Sequence, residues 1–400
     1  MLPVIVCKSN CQMLTRAQPF AGSLAKHGMA RAVIAGTRPG LVVMNTSAAP
    51  TALAIIAPEG HFAWVYLSGS VNDNRFVSEL HRWMFEQRGM GRDVGRMFVV
   101  WDTDAWEGSM RELIAPRKAV PERRLHYVSS GNRKQRTPQI ASGYRIESLR
   151  RAIREEGVEV PQKIAAWGRS NFGSIEALLD SRIGSVAVSR GRIAGWCLPD
   201  SVVDGRADIG VEIDEAHRRR GLAWATTVST LKQALKQGIR YVGWHCDAGN
   251  AGSVKTAEKA GFQLQGEYPL LPVCMDPGEH RQLISVIIND RKRAAKAALE
   301  RGEVEEASKL YGALLPCLNP SAVDAETLFD AARTAALLHR REDALQRMEQ
   351  AIACGWSFAI PLRTRPEFSE LRTDPRWTRC IERIVSVRWR RAAKREPPSD

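Results

Sequence analysis

Four hundred residues with 58 Lys and Arg against 44 Asp and Glu carry a formal charge of +14, which favours anionic partners such as phosphates without naming one. The eight cysteines contain no CxxC pair, so neither a disulfide framework nor a structural metal is expected. No window approaches the roughly 20 apolar residues of a membrane span, and "MLPVIVCKSN" lacks the basic lead and apolar core of a signal peptide, so a reduced, cytoplasmic chain with no membrane partner is expected.

Residues 1–115 read as mixed α/β. "GLVVMNTS" and "TALAIIAP" are paired strands, "HFAWVYLSGS" is a strand, "RFVSELHRWMFEQRG" has helical periodicity, and "GRMFVVWDTD" is a strand again. "GMGRDVG" is no nucleotide fingerprint, because its third glycine comes one place late and a strand follows it. The stretch 116–141, which includes "RKAVPERRLHYVSSGNRKQR", reads as a basic linker.

Residues 142–288 alternate more clearly. "GYRIESL" is a strand, "VPQKIAAWGRSNFGSIEALLDSR" one or two helices, and "SVAVSRGRIAGWCLPDSVV" a hairpin turning at Arg190–Gly191. "RADIGVEID" is a strand, "LAWATTVSTLKQALKQG" an amphipathic helix ended by Gly238, and "YVGWHC" a strand. "AGSVKTAEKAG" is a helix ended by Gly261, and "FQLQGEY" a strand. This order predicts an α/β (α+β) fold, one mixed sheet with helices on both faces.

Residues 289–386 read as two helical hairpins, each with a polar turn followed by "EEA" or "EDA". Their small residues (Ala298, Gly302, Ala307; Ala331, Ala335, Ala344) resemble tetratricopeptide repeats. Such a module offers a surface for a protein partner, and a generic helical cap is the alternative. Residues 387–400 form a basic tail. Only Tyr127 and Trp389 interrupt the basic stretches as stacking platforms, which argues against nucleic acid.

The segment "EIDEAHRRRGLAWATT" places Arg218, Arg219 and Arg220 where a strand ends and a helix begins. A helix N-terminus is partially positive, so a basic triplet there is locally unfavourable unless an anion arrives. Gly221 permits close backbone approach, and the N–H groups of 218–223 can cradle a pyrophosphate.

With its surroundings, this segment resembles the signature loop of GNAT acyl-CoA N-acetyltransferases, matched by Arg218, Gly221 and Ala223. The second signature is similar to "NAGSVKTAEKAGF" at 250–262. "WHC" and "GEY" look like a bacterial branch that includes zwittermicin A resistance acetyltransferases, in which a degenerate GNAT-like half precedes the working one. That likeness makes antibiotic resistance a candidate role and residues 1–115 a candidate for the degenerate half.

The resemblance implies acetyl-CoA as co-substrate, with its pyrophosphate on Arg218, Arg219, Arg220, Gly221, Leu222 and Ala223. It implies that the pantetheine lies along the strand 209–213, with Asn250 and Ser253 nearby and a backbone N–H near Val211 or Ile213 as oxyanion donor. Asp208, Gly210 and Glu212 share one strand face, and Tyr241, Gly243 and His245 share a face of the next. Histidine as a residue type suits a general base near neutral pH, which makes His245 the first candidate, with Asp208 or Glu212 as alternatives and a structural histidine as the third option. Cys246 points away from His245 and reads as core. Asn250 reads equally as a helix N-cap.

Many family members carry a thiolate-protonating tyrosine where this chain has Ala257, leaving Tyr268 or water to replace it. The expected reaction is acetylation of a small-molecule primary amine by direct attack in a ternary complex. Protein acetylation with recruitment through the helical repeats, or acyl-CoA binding without catalysis, are the alternatives.

Overall fold

Residues 145–274, expected to form a sheet of their own, share one twelve-stranded sheet with residues 5–129. The computed structural model describes residues 4–8, 12–70, 74–130, 138–318 and 324–393. Its strands are β1 (Ile5–Lys8), β2 (Leu41–Met44), β3 (Ala52–Glu59), β4 (Phe62–Gly69), β5 (Arg96–Trp101), β6 (Glu122–Ser129), β7 (Arg145–Ser148), β8 (Ser185–Ser189), β9 (Arg192–Val203), β10 (Arg206–Ile213), β11 (Tyr241–Asp247) and β12 (Gln263–Cys274). They lie in the order β1-β2-β3-β4-β5-β12-β6-β11-β10-β9-β8-β7.

That order repeats itself. Exchanging each strand of β1–β6 with its counterpart in β7–β12 and reading backwards returns the same sequence of neighbours. Pair senses agree as well: β3/β4 and β9/β10 are antiparallel, β4/β5 and β10/β11 parallel, and β5/β12 and β11/β6 antiparallel. The two copies exchange their last strands, so that β12 lies between β5 and β6, and β6 between β11 and β12. The first half therefore repeats the strand topology of the second and is interlocked with it.

The stretch 116–141 is not simply a linker. It holds β6, paired on both edges near the middle of the sheet. The pattern behind this is alternation: Leu125, Tyr127 and Ser129 face one side, and Arg124, His126 and Val128 the other. The basic run at 131–137 lies outside the described residues.

Helices cover both faces. α1 (Gly28–Ile34), α2 (Asn74–His81) and α3 (Met110–Ile114) belong to the first half, and α2 runs on through a π-type turn to Glu86. α4 (Leu149–Arg154), α5 (Gln162–Phe172), α6 (Ile175–Asp180), α7 (Leu222–Lys236) and α8 (Ala251–Lys259) belong to the second. On β10, Ala207 and Ile209 pack with Val228 and Leu231 of α7, whereas Asp208 turns to the start of α1. A helix of the first half thus covers a strand of the second. Both expected turn signals hold: Arg190 and Gly191 have φ of 49° and 73°, and Gly238 and Gly261 have φ of 78° and 84° just beyond α7 and α8.

Residues 281–400 form a second compact unit. It comprises most of α9 (Pro277–Glu300), then α10 (Val304–Leu314), α11 (Ala325–Leu337), α12 (Arg341–Ala353), α13 (Ala359–Thr364) and α14 (Pro375–Ala393). Its small residues form the seams, with Ala298, Ala307, Ala331, Ala335 and Ala344 all buried. The expected tail from 387 instead continues α14 to Ala393, and 394–400 lie outside the described residues.

Candidate active site

Strands β10 and β11 are paired for only three residues, Arg206–Asp208 against Tyr241–Gly243, and then part. The register of β10 against β9 shifts at the same point, where Asp208 pairs Ser201 and Ile209 pairs Pro199, so Asp200 is the extra residue of a bulge in β9. Beyond it, β10 has a partner on one edge only. A cleft of about 290 Å³ opens there between Ile209, Gly210 and Val211 on one side and Trp244, His245 and Cys246 on the other. Its far wall, from the first half, includes His27, Glu59, Trp64 and Tyr66.

His245 sits at the centre of a hydrogen-bonded chain. Arg124 bonds the Tyr268 oxygen, and the Tyr268 hydroxyl lies 3.0 Å from His245 Nδ1. Because that oxygen accepts from Arg124, its proton is free to be donated to Nδ1. In the tautomer that accepts this proton the imidazole N–H is on Nε2, which lies 3.6 Å from Asp208 Oδ2 and has no hydrogen-bond partner among the described residues. Asp208 is buried and also accepts the Gly28 N–H at 2.7 Å. A Cβ at Gly243 would collide with the Asp208 carboxylate, so glycine there makes room for it.

Two further imidazoles sandwich the ring. His126 of β6 stacks on His245 at 4.7 Å between centroids, and His27 at 5.8 Å from the other half. Burial, with the neighbouring His245, lowers His126 to about 4 and His27 well below its ordinary value. Both are neutral at pH 7. Burial pushes the Tyr268 hydroxyl up to about 12, so it keeps its proton.

The other expected residues divide. Glu212 shares the Asp208 face but is ion-paired with Lys163 of α5 and does not line the cleft. Val211 lines it; Ile213 is buried beside Leu222 and Ala187. Asn250 lines it too, but its Oδ1 caps α8 by accepting the Ser253 N–H at 3.0 Å. Ser253 Oγ accepts from Trp244 Nε1 at 3.1 Å. Cys246 is buried against the α7–α8 side, and Ala257 is fully buried there. Tyr268 is the hydroxyl that reaches the cleft.

At the loop, Arg219 and Gly221 have φ of 64° and 80°, and Leu222 opens α7 with no side-chain cap. Arg218, Arg219 and Arg220 are exposed. Arg218 Nε donates to the Ile213 carbonyl at 3.2 Å. Among the described residues, none of the three arginines has a carboxylate within ion-pair reach. An uncapped fifteen-residue helix beside three guanidiniums that lack carboxylate partners among the described residues fits a pyrophosphate. The close approach that Gly221 permits is made, however, by the chain's own Gln139 carbonyl, and the Ala141 N–H donates to Arg220 O at 3.3 Å. Segment 139–141 therefore braces the loop.

His27, His126, Arg124 and Glu59 were not legible as site residues. His126 and Arg124 sit in the run taken for linker, where the alternation 124–129 was the available signal. His27 and Glu59 are single residues that only the interlocked topology brings to the cleft.

Fold and site together define a class: a mixed α/β sheet opened at one parallel strand pair, the architecture of an acyl-CoA-dependent transferase. The profile of the GNAT acetyltransferase family matches residues 18–271, and the chain belongs to that family, whose fold implies acyl-CoA-dependent acetyl transfer. Similar solved structures include a GCN5-related N-acetyltransferase-like protein from Streptococcus suis (16% identity, 65% of this chain and 98% of that one, TM-score 0.47). Another is a GCN5-related N-acetyltransferase from Sphaerobacter thermophilus (17%, 69% and 98%, TM-score 0.45). A tandem GNAT protein from the clavulanic acid biosynthesis pathway matches at 12%, over 68% of this chain and 99% of that one, with a TM-score of 0.44. No curated protein matches the sequence.

Proposed function

We propose that the protein is an acetyl-CoA-dependent N-acetyltransferase that acetylates a primary amine of a small molecule in a ternary complex. The observation that carries this reading is the parting of β10 and β11 beside a Tyr268–His245–Asp208 relay. The free edge of β10 beyond Asp208 would hold the pantetheine arm. Arg218–Arg220 and the first turn of α7 would hold the pyrophosphate. Bound acetyl-CoA supplies the thioester, whose sulfur leaves as a thiolate of ordinary pKa about 8.5 and requires little acid assistance.

The chain's residues manage the proton. As the amine nitrogen bonds to the acetyl carbon, the Tyr268 oxygen takes its proton and passes its own to His245 Nδ1. The imidazolium so formed faces Asp208, which stabilises it. His27 and His126, held neutral, do not oppose that charge and shield the ring from water. The likeness to the zwittermicin A resistance branch leans towards a small amine. The small-residue seams of residues 281–393 are read as a tetratricopeptide-like pair.

Calorimetry tests the reading. Acetyl-CoA is expected to bind in the micromolar range, weakened roughly tenfold (about 1.4 kcal/mol) by Arg219→Ala/Arg220→Ala. Thiol release should follow when an amine is added. Absence of acetyl-CoA binding to the unaltered protein would sink it.

A further inference from the structure

The chain is basic overall, at +14, yet its cleft is not. Four carboxylates line it, Glu59, Asp200, Asp208 and Asp247, against one arginine, Arg124. Arg124 is paired with Asp247 at 2.9 Å, and Asp208 is engaged by Gly28 and His245. Glu59 and Asp200 remain.

Behind them lies Arg38, which is buried. Its guanidinium donates to the backbone carbonyls of Asp200 and Pro58 at 3.2 and 3.3 Å, and its Nε has no partner among the described residues. Among the described residues neither Glu59 nor Asp200 has an ion-pair partner, and in a partly desolvated wall that disfavours their charged forms until a cation arrives. Burial, then Glu59 and Asp208, raises the Asp200 carboxyl well above the usual range, with Arg38 offsetting only part of this.

Two indole rings flank the pair in fixed positions. Trp64 Nε1 donates to Glu59 Oε2 at 3.0 Å, and Trp167 Nε1 to the Pro199 carbonyl at 2.8 Å. A Cβ at Gly210 would lie 2.6 Å from the Trp167 ring and 3.5 Å from Asp200 Oδ1, so the absence of a side chain there keeps this corner open. Carboxylates with aromatic faces beside them are what an organic cation recognises.

We propose that Glu59 and Asp200, flanked by Trp64 and Trp167, form a subsite for a second cationic group of the acceptor, which is therefore a molecule with two amino groups. The assignment of two groups rests on the transferase reading. An ammonium docked there favours the ionised form of the two carboxyls and is itself kept protonated, so it cannot attack; the reacting amine belongs at Tyr268–His245 and the retained ammonium at Glu59–Asp200. The first half of the chain, through Glu59 and Trp64, thereby selects the substrate on which the second half acts.

The test is binding, separated from turnover. Calorimetry with α,ω-diaminoalkanes of three to eight carbons is compared with the monoamines of equal length, on the unaltered protein and on Asp200→Asn and Glu59→Gln variants of confirmed fold. At least one diamine is expected to bind ten times more tightly than its monoamine, and both variants should abolish that advantage. Equal binding of both series, no binding of any diamine, or an advantage that survives both variants overturns the subsite. Thiol release from acetyl-CoA is measured alongside with the diamine that binds. Diamine binding without release would sink the transferase reading and leave the subsite standing, whereas release without a diamine preference does the reverse.

Discussion

The two copies of one strand order differ most at their parallel pair. In the first half, β4 and β5 stay in register for six residues, Phe62–Leu67 against Arg96–Trp101, with no bulge. In the second, β10 and β11 hold for three and then separate where β9 bulges opposite Asp208 and Ile209. The zipped pair is filled by Val65, Leu67, Val99 and Trp101 on one face and by Tyr66 and Val100 on the other, all buried. The split pair has Gly210, Gly243 and a buried carboxylate where such side chains would be. A cleft thus opens where pairings are missing from a sheet, and the copy that keeps them holds its parallel pair closed. Shared topology does not confer shared chemistry; the bulge and two glycines make the difference here.

That contrast can be tested from both sides. The largest effect is expected at the split pair: His245→Ala should lower kcat by about 10²- to 10⁴-fold, the usual contribution of a positioned acid–base group, with little change in acetyl-CoA affinity by calorimetry. An unchanged kcat would reduce His245 to a packing residue. At the zipped pair, Leu67→Ala should cost about 2–5 kcal/mol in urea unfolding, while kcat per folded molecule is preserved. A large loss of kcat with intact stability there would show that the first half takes part in the chemistry.

A smaller effect tests the imidazole sandwich that the first half lends to His245. His27 and His126 have folded pKa values below the ordinary 6.5, so between the folded value and 6.5 the unfolded chain binds more protons. Their contribution is complete above about pH 6.5. It falls with pH by up to about 1.4 kcal/mol per unit for each histidine, for His126 until about pH 4. Urea midpoints measured from pH 7 to 4.5 should decline through that window; a flat profile to pH 5 would mean that the imidazoles are not held neutral.

Much of this was legible in the sequence where the signal is local. The Arg190–Gly191 hairpin, the glycines closing α7 and α8, and the strand–loop–helix at Arg218–Ala223 are each encoded within a few residues. His245 and Asp208 followed from strand alternation, which holds across the bulge on the cleft face. Strand β6 was hidden because the basic residues on either side of it set the composition of 117–136, and its own Arg123 and Arg124 added to them, although a central strand can carry arginines where one face opens to a cleft. Glu212 was misjudged since alternation gives a face but not a distance along it, and Lys163 comes from another element. His27, Glu59 and Arg38 could not be found at all: what makes them site residues is the exchange of β6 and β12, a long-range fact with no local pattern.

That exchange has a consequence for how such a molecule comes about. With each copy's last strand seated inside the other, the sheet is what two identical chains would build by swapping their ends, here written into one polypeptide. Two identical chains must keep both clefts alike. Covalent linkage of the copies breaks that tie, so one gene segment is free to keep an open cleft while its twin is reshaped as that cleft's far wall.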